Sequence, residues 1–255
     1  MDLLIDIGNT NLRWAAWAAM TVADPPAGSC LGEISTLRHH GALPIDLLAA
    51  WDRLQAPRQV LVSNVGGPKL AAHLTQAARS LWGLEPKFAA TQTDGFGVSI
   101  AYANPTQLGV DRWLSLIAAH RHAHGAALVV DAGTAITYDL LLSDGTHLGG
   151  LILPGVHMLR DSLLAGTRIP SIEERSEPGP DEPAWATDTA AAIAGGSLQA
   201  PAALAERLSG RLRDRIGGEP QVILTGGDAE RLAPLIGVPV RIQPALILQG
   251  LALLA

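Results

Sequence analysis

Two short segments carry residue types that could do chemistry together. Asp6-Ile7-Gly8-Asn9-Thr10 and Asp131-Ala132-Gly133-Thr134 each place an acidic residue near the end of an apolar run, a glycine two residues on and a threonine soon after. A carboxylate at a strand end can hold a cation. Glycine lets main-chain N–H groups approach an anionic oxygen closely, and a threonine hydroxyl can bond a phosphate oxygen. One copy alone reads most simply as a hairpin, with Gly and Asn at positive φ and Asp bonded to nearby N–H groups. Two copies in matched contexts point to function, because two such turns could clamp a triphosphate with its metal.

Two further segments are compatible with that chemistry. Thr225-Gly226-Gly227-Asp228-Ala229 follows the apolar run Val222-Ile223-Leu224 and precedes a helical pattern. A glycine pair there can pass under a nucleobase or a phosphate; the plain alternative is punctuation with Asp228 as an N-cap. Gly109-Val110-Asp111-Arg112 lies near the start of a long helical pattern. Adjacent helical residues point about 100° apart, so one can take a proton while the other grips an anion. The plain alternative is a carboxylate favoured by the helix dipole beside a surface arginine. His120, His122 and His124 do not read as a metal site, since only His120 and His124 share a helix face and cationic side chains suit a last turn. The six tryptophans are scattered and read as core or interface.

Other chemistries are excluded. No Gly-x-x-x-x-Gly-Lys-Ser/Thr occurs, and Lys69 and Lys87 are the only lysines, so there is no P-loop. Gly-x-Gly-x-x-Gly, Gly-x-Ser-x-Gly and His-Glu-x-x-His are missing as well. Eighteen Lys and Arg against 24 Asp and Glu leave a net charge of −6 with no basic run, which disfavours nucleic acid as a partner. The 255 residues, 48% hydrophobic and 16% charged, can bury a core without staples and are not those of a disordered chain. Cys30 is the single cysteine, which excludes an intrachain disulfide scaffold and suits a reducing compartment. The apolar stretches Trp14 to Ala23 and Ala245 to Ala255 are shorter than the about 20 residues a spanning helix needs. With Asp2 and Asp6 early and no basic n-region, no signal peptide is expected. The expectation is a cytoplasmic protein with no membrane or nucleic-acid partner.

The elements that must position these residues repeat. Strands are expected at 3–5, 12–19 and 31–37, helices at 44–54 and 69–82, strands at 59–63 and 88–90, and a strong helix at 107–124. The pattern then recurs with strands at 127–130, 136–142 and 146–153 and a helix to 164. A Pro- and Glu-rich loop at 171–183 precedes a helix at 185–212, a strand at 222–225 and short helices to the end. This diverged repeat predicts two similar α/β domains, 1–106 and 107–255.

In this order the segments resemble the type III pantothenate kinases, members of the acetate kinase, sugar kinase, Hsp70 and actin superfamily. The resemblance runs essentially end to end. It rests on Asp6-Ile7-Gly8-Asn9-Thr10, Tyr102 with Gly109-Val110-Asp111-Arg112, and Asp131-Ala132-Gly133-Thr134-Ala135-Ile136-Thr137. It continues through Gly149-Gly150-Leu151-Ile152-Leu153-Pro154-Gly155, Asp188-Thr189, Thr225-Gly226-Gly227-Asp228 and the closing segment from Pro244 to Leu251. The Asp-x-Gly pairs alone mark only the superfamily; the Gly-x-Asp-Arg, Asp-x-Gly-Thr-Ala-x-Thr and Gly-Gly…Pro-Gly segments are specific to the family.

The resemblance implies an α/β fold of two RNase H-like (actin-like ATPase) domains facing a central cleft. It implies ATP-dependent phosphorylation of the primary hydroxyl of pantothenate to 4'-phosphopantothenate, the first step of coenzyme A biosynthesis. Residue by residue it implies ATP binding by Asp6, Ile7, Gly8, Asn9, Thr10, Asn11, Leu12, Arg13 and Thr134, with Asp6 holding Mg²⁺ directly or through water. Tyr102, Gly109, Val110, Asp111, Arg112 and Thr189 are the implied pantothenate contacts, Asp111 being the general base and Arg112 suited to the carboxylate. Thr187 is a rival to Thr189, and that contact can come from the neighbouring subunit of a homodimer. Asp131 is the implied ligand of a monovalent cation, K⁺ or NH₄⁺. The chain departs from the family where Asp188-Thr189 replaces the common Asn-Thr and where alanines fill 190–194. A net charge of −6 is awkward for two anionic substrates, so Mg²⁺, the monovalent cation, Arg112 and Arg13 would have to compensate. Two rivals stand beside this reading: a kinase of the same superfamily with another acceptor, and a non-catalytic regulatory protein. The presence of Asp6, Asp111 and Asp131 weighs against the second.

Overall fold

The computed structural model describes residues 1–18, 31–123, 125–169 and 185–255. Cys30, His124 and the Pro- and Glu-rich stretch at 171–183 lie outside the described residues. Strands β1 (Asp2–Ile7), β2 (Asn11–Trp17) and β3 (Ser35–Arg38) are followed by helix α1 (Ile45–Asp52), β4 (Val60–Asn64), α2 (Pro68–Trp82) and β5 (Lys87–Phe88). A small hairpin, β6 (Asp94–Gly95) and β7 (Val98–Ser99), leads to α3 (Val110–His122). Then come β8 (Ala127–Ala132), β9 (Ala135–Leu141), β10 (His147–Pro154), α4 (Val156–Ala165), α5 (Thr189–Ile216), β11 (Gln221–Thr225), α6 (Ala229–Leu232), β12 (Val240–Ile242) and α7 (Leu246–Ala252).

The two larger sheets have one topology. The first runs β3-β2-β1-β4-β5 and the second β10-β9-β8-β11-β12. In each, the first three strands in chain order are antiparallel and the last two join in parallel. The central strands β1 and β8 are buried on both faces, which is why they read as unbroken apolar runs. One face of the first sheet packs Leu3, Ile5, Ile7, Leu12, Val60 and Val62 against α1 and α2. One face of the second packs Leu128, Val130, Ile136, Tyr138, Val222 and Leu224 against α5.

The compact units do not follow the expected split at 106/107. One is Met1–His122 with Ala245–Ala255, the other Ala123–Pro244. Helices α3 and α7, expected in the second domain, therefore belong with the first sheet, where α7 packs on α3, β1, β2 and β4. Gly250 makes this fit: a Cβ there would run into the Leu114 backbone. Element bounds also differ: the strand expected at 31–37 is Ser35–Arg38, and the one expected at 88–90 is Lys87–Phe88. Residues 105–107 form a 3₁₀ turn in which the Asn104 carboxamide accepts the Thr106 N–H, so α3 starts at Val110 rather than 107. Helix α5 starts later than 185 because the Asp188 carboxylate accepts the Ala191 N–H at 2.9 Å, and it ends at Gly217, φ +69°. The stretch after β11, expected to be helical throughout, includes strand β12.

The strand ends that carry the two Asp-x-Gly segments are fixed alike. Gly8 N–H donates to the Asn11 carbonyl at 2.9 Å and Gly133 N–H to the Ala135 carbonyl at 3.1 Å. Val65 N–H donates to the Ile7 carbonyl at 2.9 Å, and Asp228 N–H to the Ala132 carbonyl at 3.0 Å. Beneath each turn a glycine follows the parallel neighbour strand. A Cβ on Gly66 would press on Ile7, Gly8 and Leu70; one on Gly226 would run into the Ala132 carbonyl group and the Asp131 carboxylate. Gly226 also has φ +92°, where L side chains are strained.

At the other end of β1, Asp2 is buried and clamped by Arg58 (Nε 2.9 Å, Nη2 2.7 Å) and by Gln59 Nε2 at 2.9 Å. Burial alone would raise the Asp2 carboxyl, but the hydrogen bonds from Arg58 and Gln59 and the Arg58 charge outweigh it and hold it below the usual carboxylate range. A carboxyl depressed in the folded state contributes stability above its unfolded value of about 4, lost as pH falls through the folded value. Asp2→Asn is thus expected to lower the melting temperature at pH 7 by several degrees, the gap to wild type closing in melts run well below pH 4. Gly226→Ala is expected to cost about 1–3 kcal/mol in denaturant titrations, through overpacking against the Ala132 carbonyl group and the Asp131 carboxylate.

Candidate active site

In the first unit Asp6, only 6% exposed, sits on β1 between its register partners Arg13 on β2 and Ser63 on β4. Paired residues on neighbouring strands share a face, so these three side chains lie on the side opposite Ile7 and Leu12. Ile7 and Leu12 are wholly buried in the core, so only their main chains can meet a ligand. Asn9 and Asn11 are exposed, and Gly8, Thr10 and Arg13 are half-buried.

The start of α3 gathers a second group. The Asp111 carboxylate accepts the Arg112 main-chain N–H at 2.8 Å, and Trp113 N–H begins the helical ladder at the Gly109 carbonyl. A Cβ on Gly109 would collide with Asp111 Oδ1, so glycine is what lets the carboxylate fold back over the helix start. Arg112 is 6% exposed rather than a surface residue. Its Nη1 donates to the Tyr102 hydroxyl at 3.2 Å, and its guanidinium carbon lies 5.7 Å from the Tyr102 ring centre. Asp111, Arg112 and Tyr102 are thus one cluster: a half-buried carboxylate beside a guanidinium braced by a phenol.

In the second unit Asp131 is half-buried on β8 between its register partners Thr137 on β9 and Thr225 on β11. Thr134 is exposed at the turn, and its carbonyl accepts the Gly155 N–H at 2.9 Å. The Asp131, Gly149–Gly155 and Thr225–Gly227 segments, far apart in sequence, meet through these contacts. Asp228 does not cap α6 with its side chain; it is ion-paired with Arg231. Thr187 and Thr189 are both exposed and line one groove of about 830 Å³ between α4 and the start of α5, with Leu159, Ser162 and Ile193.

The residues fit hard cations. Ser63 Oγ beside Asp6, and Thr225 Oγ1 beside Asp131, are fully buried and have no hydrogen-bond partner. A carboxylate with a neighbouring hydroxyl oxygen is the donor chemistry of Mg²⁺ and of monovalent cations. Among the described residues no group of three or more His, Cys, Asp or Glu could hold a metal, so His120 and His122 belong to no such group. Ser63 and Gly66 are site-positioning residues that the motif reading missed. Their signal is the strand–Gly-Gly–helix order of Ser63-Asn64-Val65-Gly66-Gly67, which parallels Thr225-Gly226-Gly227. His39, which bonds the first turn, carries no comparable sequence signal.

Comparison with known proteins supplies the family of the chain. A protein-family model described as type III pantothenate kinase matches residues 2–211. The type III pantothenate kinase of Nitrosococcus oceani is 37% identical over 260 residues, covering 100% of this chain and 94% of that one. That of Azoarcus sp. (strain BH72) is 37% identical over 256 residues, covering 100% and 90%. Among solved structures, a protein described as a 2-dehydro-3-deoxygalactonokinase from Sinorhizobium meliloti has a TM-score of 0.59 at 16% identity, covering 99% of this chain and 97% of that one. One described as a Baf family transcriptional activator from Campylobacter jejuni has a TM-score of 0.57 at 19% identity, covering 98% and 95%. At such identities the structures show the fold alone, which is that of the sugar kinases and actin-like ATPases. The end-to-end sequence match goes further: this chain belongs to the type III pantothenate kinases, the enzymes that phosphorylate pantothenate in coenzyme A biosynthesis.

Proposed function

We propose that this pantothenate kinase transfers the γ-phosphoryl group of ATP to the primary hydroxyl of pantothenate, with Asp111 accepting the hydroxyl proton. The observation that carries this reading of the site is the cluster of Asp111, Arg112 and Tyr102. The rigid fork of a guanidinium grips a carboxylate in two places. Arg112, steadied by Tyr102 and flanked by Gly109 and Val110, would anchor the pantothenate carboxylate and so bring its hydroxyl to Asp111. The bond formed is hydroxyl oxygen to γ-phosphorus, the bond broken is that of the γ-phosphorus to the β–γ bridging oxygen, and the proton goes to Asp111. A carboxylate held at a helix start is a weak base, and a loose transition state asks little more of it than to orient the hydroxyl and take the proton late.

The main chain of residues 6–13, with Arg13 and Thr134, would receive the triphosphate. Mg²⁺ supplies charge neutralisation for the transferred group, and Asp6 with Ser63 is the oxygen pair that would hold it, directly or through water. Asp131 with Thr225 is the pair for a monovalent cation, K⁺ or NH₄⁺. We also assign a homodimer. Leu151 and Ile152 on β10 and Met158 and Leu163 on α4 are exposed apolar side chains close in sequence to the groove of Thr187 and Thr189. A second copy covering that face would bury them and carry Thr189, or its rival Thr187, to the partner's pantothenate. The cytoplasm is the compartment that supplies ATP, and the reaction is placed there.

Asp111→Asn is expected to lower kcat by about 10²–10⁴-fold with the melting temperature and the pantothenate KM little changed. Full activity in a coupled assay of ADP release would remove Asp111 from its role. Leu163→Asp is expected to turn a dimer into a monomer in sedimentation velocity and to lose activity with it. A wild type that sediments as a monomer while fully active would end the assignment of Thr187 or Thr189 to a partner's site.

A further inference from the structure

The turn after β1 is held from behind by a side chain outside all the motifs. His39 follows β3 directly and is 5% exposed. Its Nε2 lies 2.9 Å from the Gly8 carbonyl oxygen, its main-chain N–H donates to the Thr10 carbonyl at 2.9 Å, and the Gly41 N–H lies 3.3 Å from its Nδ1. These contacts agree on one tautomer. A main-chain N–H can only donate, so Nδ1 is the bare nitrogen; a carbonyl can only accept, so Nε2 carries the hydrogen.

The geometry of the peptide unit gives this contact a consequence. In a trans peptide the carbonyl and the following N–H point in opposite directions, and the described chain has no cis bond. Turning the Gly8 carbonyl toward His39 therefore aims the Asn9 N–H away from it, and turning the Thr10 carbonyl does the same for Asn11. The second unit holds its turn from the corresponding place. Gly155, directly after the third strand β10, donates its N–H to the Thr134 carbonyl, and a Cβ there would run into the Gly133 and Thr134 carbonyls. The Gly155 N–H thus makes the bond that the His39 main-chain N–H makes to Thr10, and the Gly155 backbone lies against the Gly133 carbonyl. In the first unit an imidazole reaches the equivalent carbonyl, that of Gly8.

We infer that His39 is a positioning residue for nucleotide binding: by holding the Gly8 carbonyl it fixes the amides of the turn in the direction of the phosphates. This rests on the reading of residues 6–13 as the ATP-binding turn. The effect should fall on nucleotide affinity and spare pantothenate.

Two variants separate positioning from local folding. His39→Gln places an amide N–H where Nε2 stood and keeps the bond to Gly8. His39→Asn keeps an acceptor for Gly41 and cannot reach Gly8. Both retain the main-chain bond to Thr10. The expected result is that the Asn variant raises the KM for MgATP and the calorimetric Kd for ATP about tenfold. Its pantothenate KM should change by less than about twofold, and the Gln variant should recover to within about threefold of wild type. The inference is overturned if the Asn variant binds ATP as wild type does, if Gln is as impaired as Asn, or if both KM values move together with the melting temperature. A folded wild type that binds no ATP would overturn the nucleotide reading of the turn, and this inference with it.

Discussion

The structure depends on one steric constraint, met twice. At the end of each central strand the chain turns back within a few residues, and the neighbouring parallel strand must pass its own backbone beneath that turn. Only a residue without a side chain fits: Gly66 under Ile7 and Gly8, Gly226 under Ala132 and Asp131. The close approach brings the Val65 N–H to the Ile7 carbonyl and the Asp228 N–H to the Ala132 carbonyl. Each acidic residue is thereby set beside a hydroxyl on the adjoining strand, Ser63 for Asp6 and Thr225 for Asp131. The placement of the two carboxylates follows from keeping these two corners intact.

On the proposed reading, function divides between the corners and the helix start. The corners offer main-chain N–H groups and oxygen ligands, which suit phosphate and its cations but carry little information about an acceptor. The start of α3 offers a carboxylate beside a guanidinium braced by a phenol, and on that reading the three would select a molecule bearing both a carboxylate and a hydroxyl.

The sequence was legible where a local rule acts. An apolar run ending in Asp-x-Gly marks a buried strand and its turn, so β1, β8 and the repeat could be read directly, as could the helix bounded by Pro68 and Gly83. The Asp188 carboxylate caps α5 by accepting the Ala191 N–H, a bond that an Asn carboxamide can make from the same place. The domain boundary was not legible. Nothing local says that 110–122 and 246–252 pack on each other and on the first sheet; that is decided by Gly250 meeting the Leu114 backbone. Strand β12 has three residues, too few for periodicity to register. The burial of Arg112, against the plain alternative of a surface arginine, was not legible locally, since its partner Tyr102 lies ten residues away and outside the helix.

The return of α7 to the first unit has a consequence for how the chain is made. The second unit, Ala123–Pro244, is inserted into the first and is continuous in sequence. During synthesis it can close around its own core while the first unit still lacks its last helix. Until residues 246–252 leave the ribosome, α3, buried from Arg112 to Ala119 in the finished protein, is without one of its covering surfaces. The first unit is therefore completed after the unit inserted in it, and the helix start bearing Asp111 and Arg112 is secured only once residues 246–252 have been made.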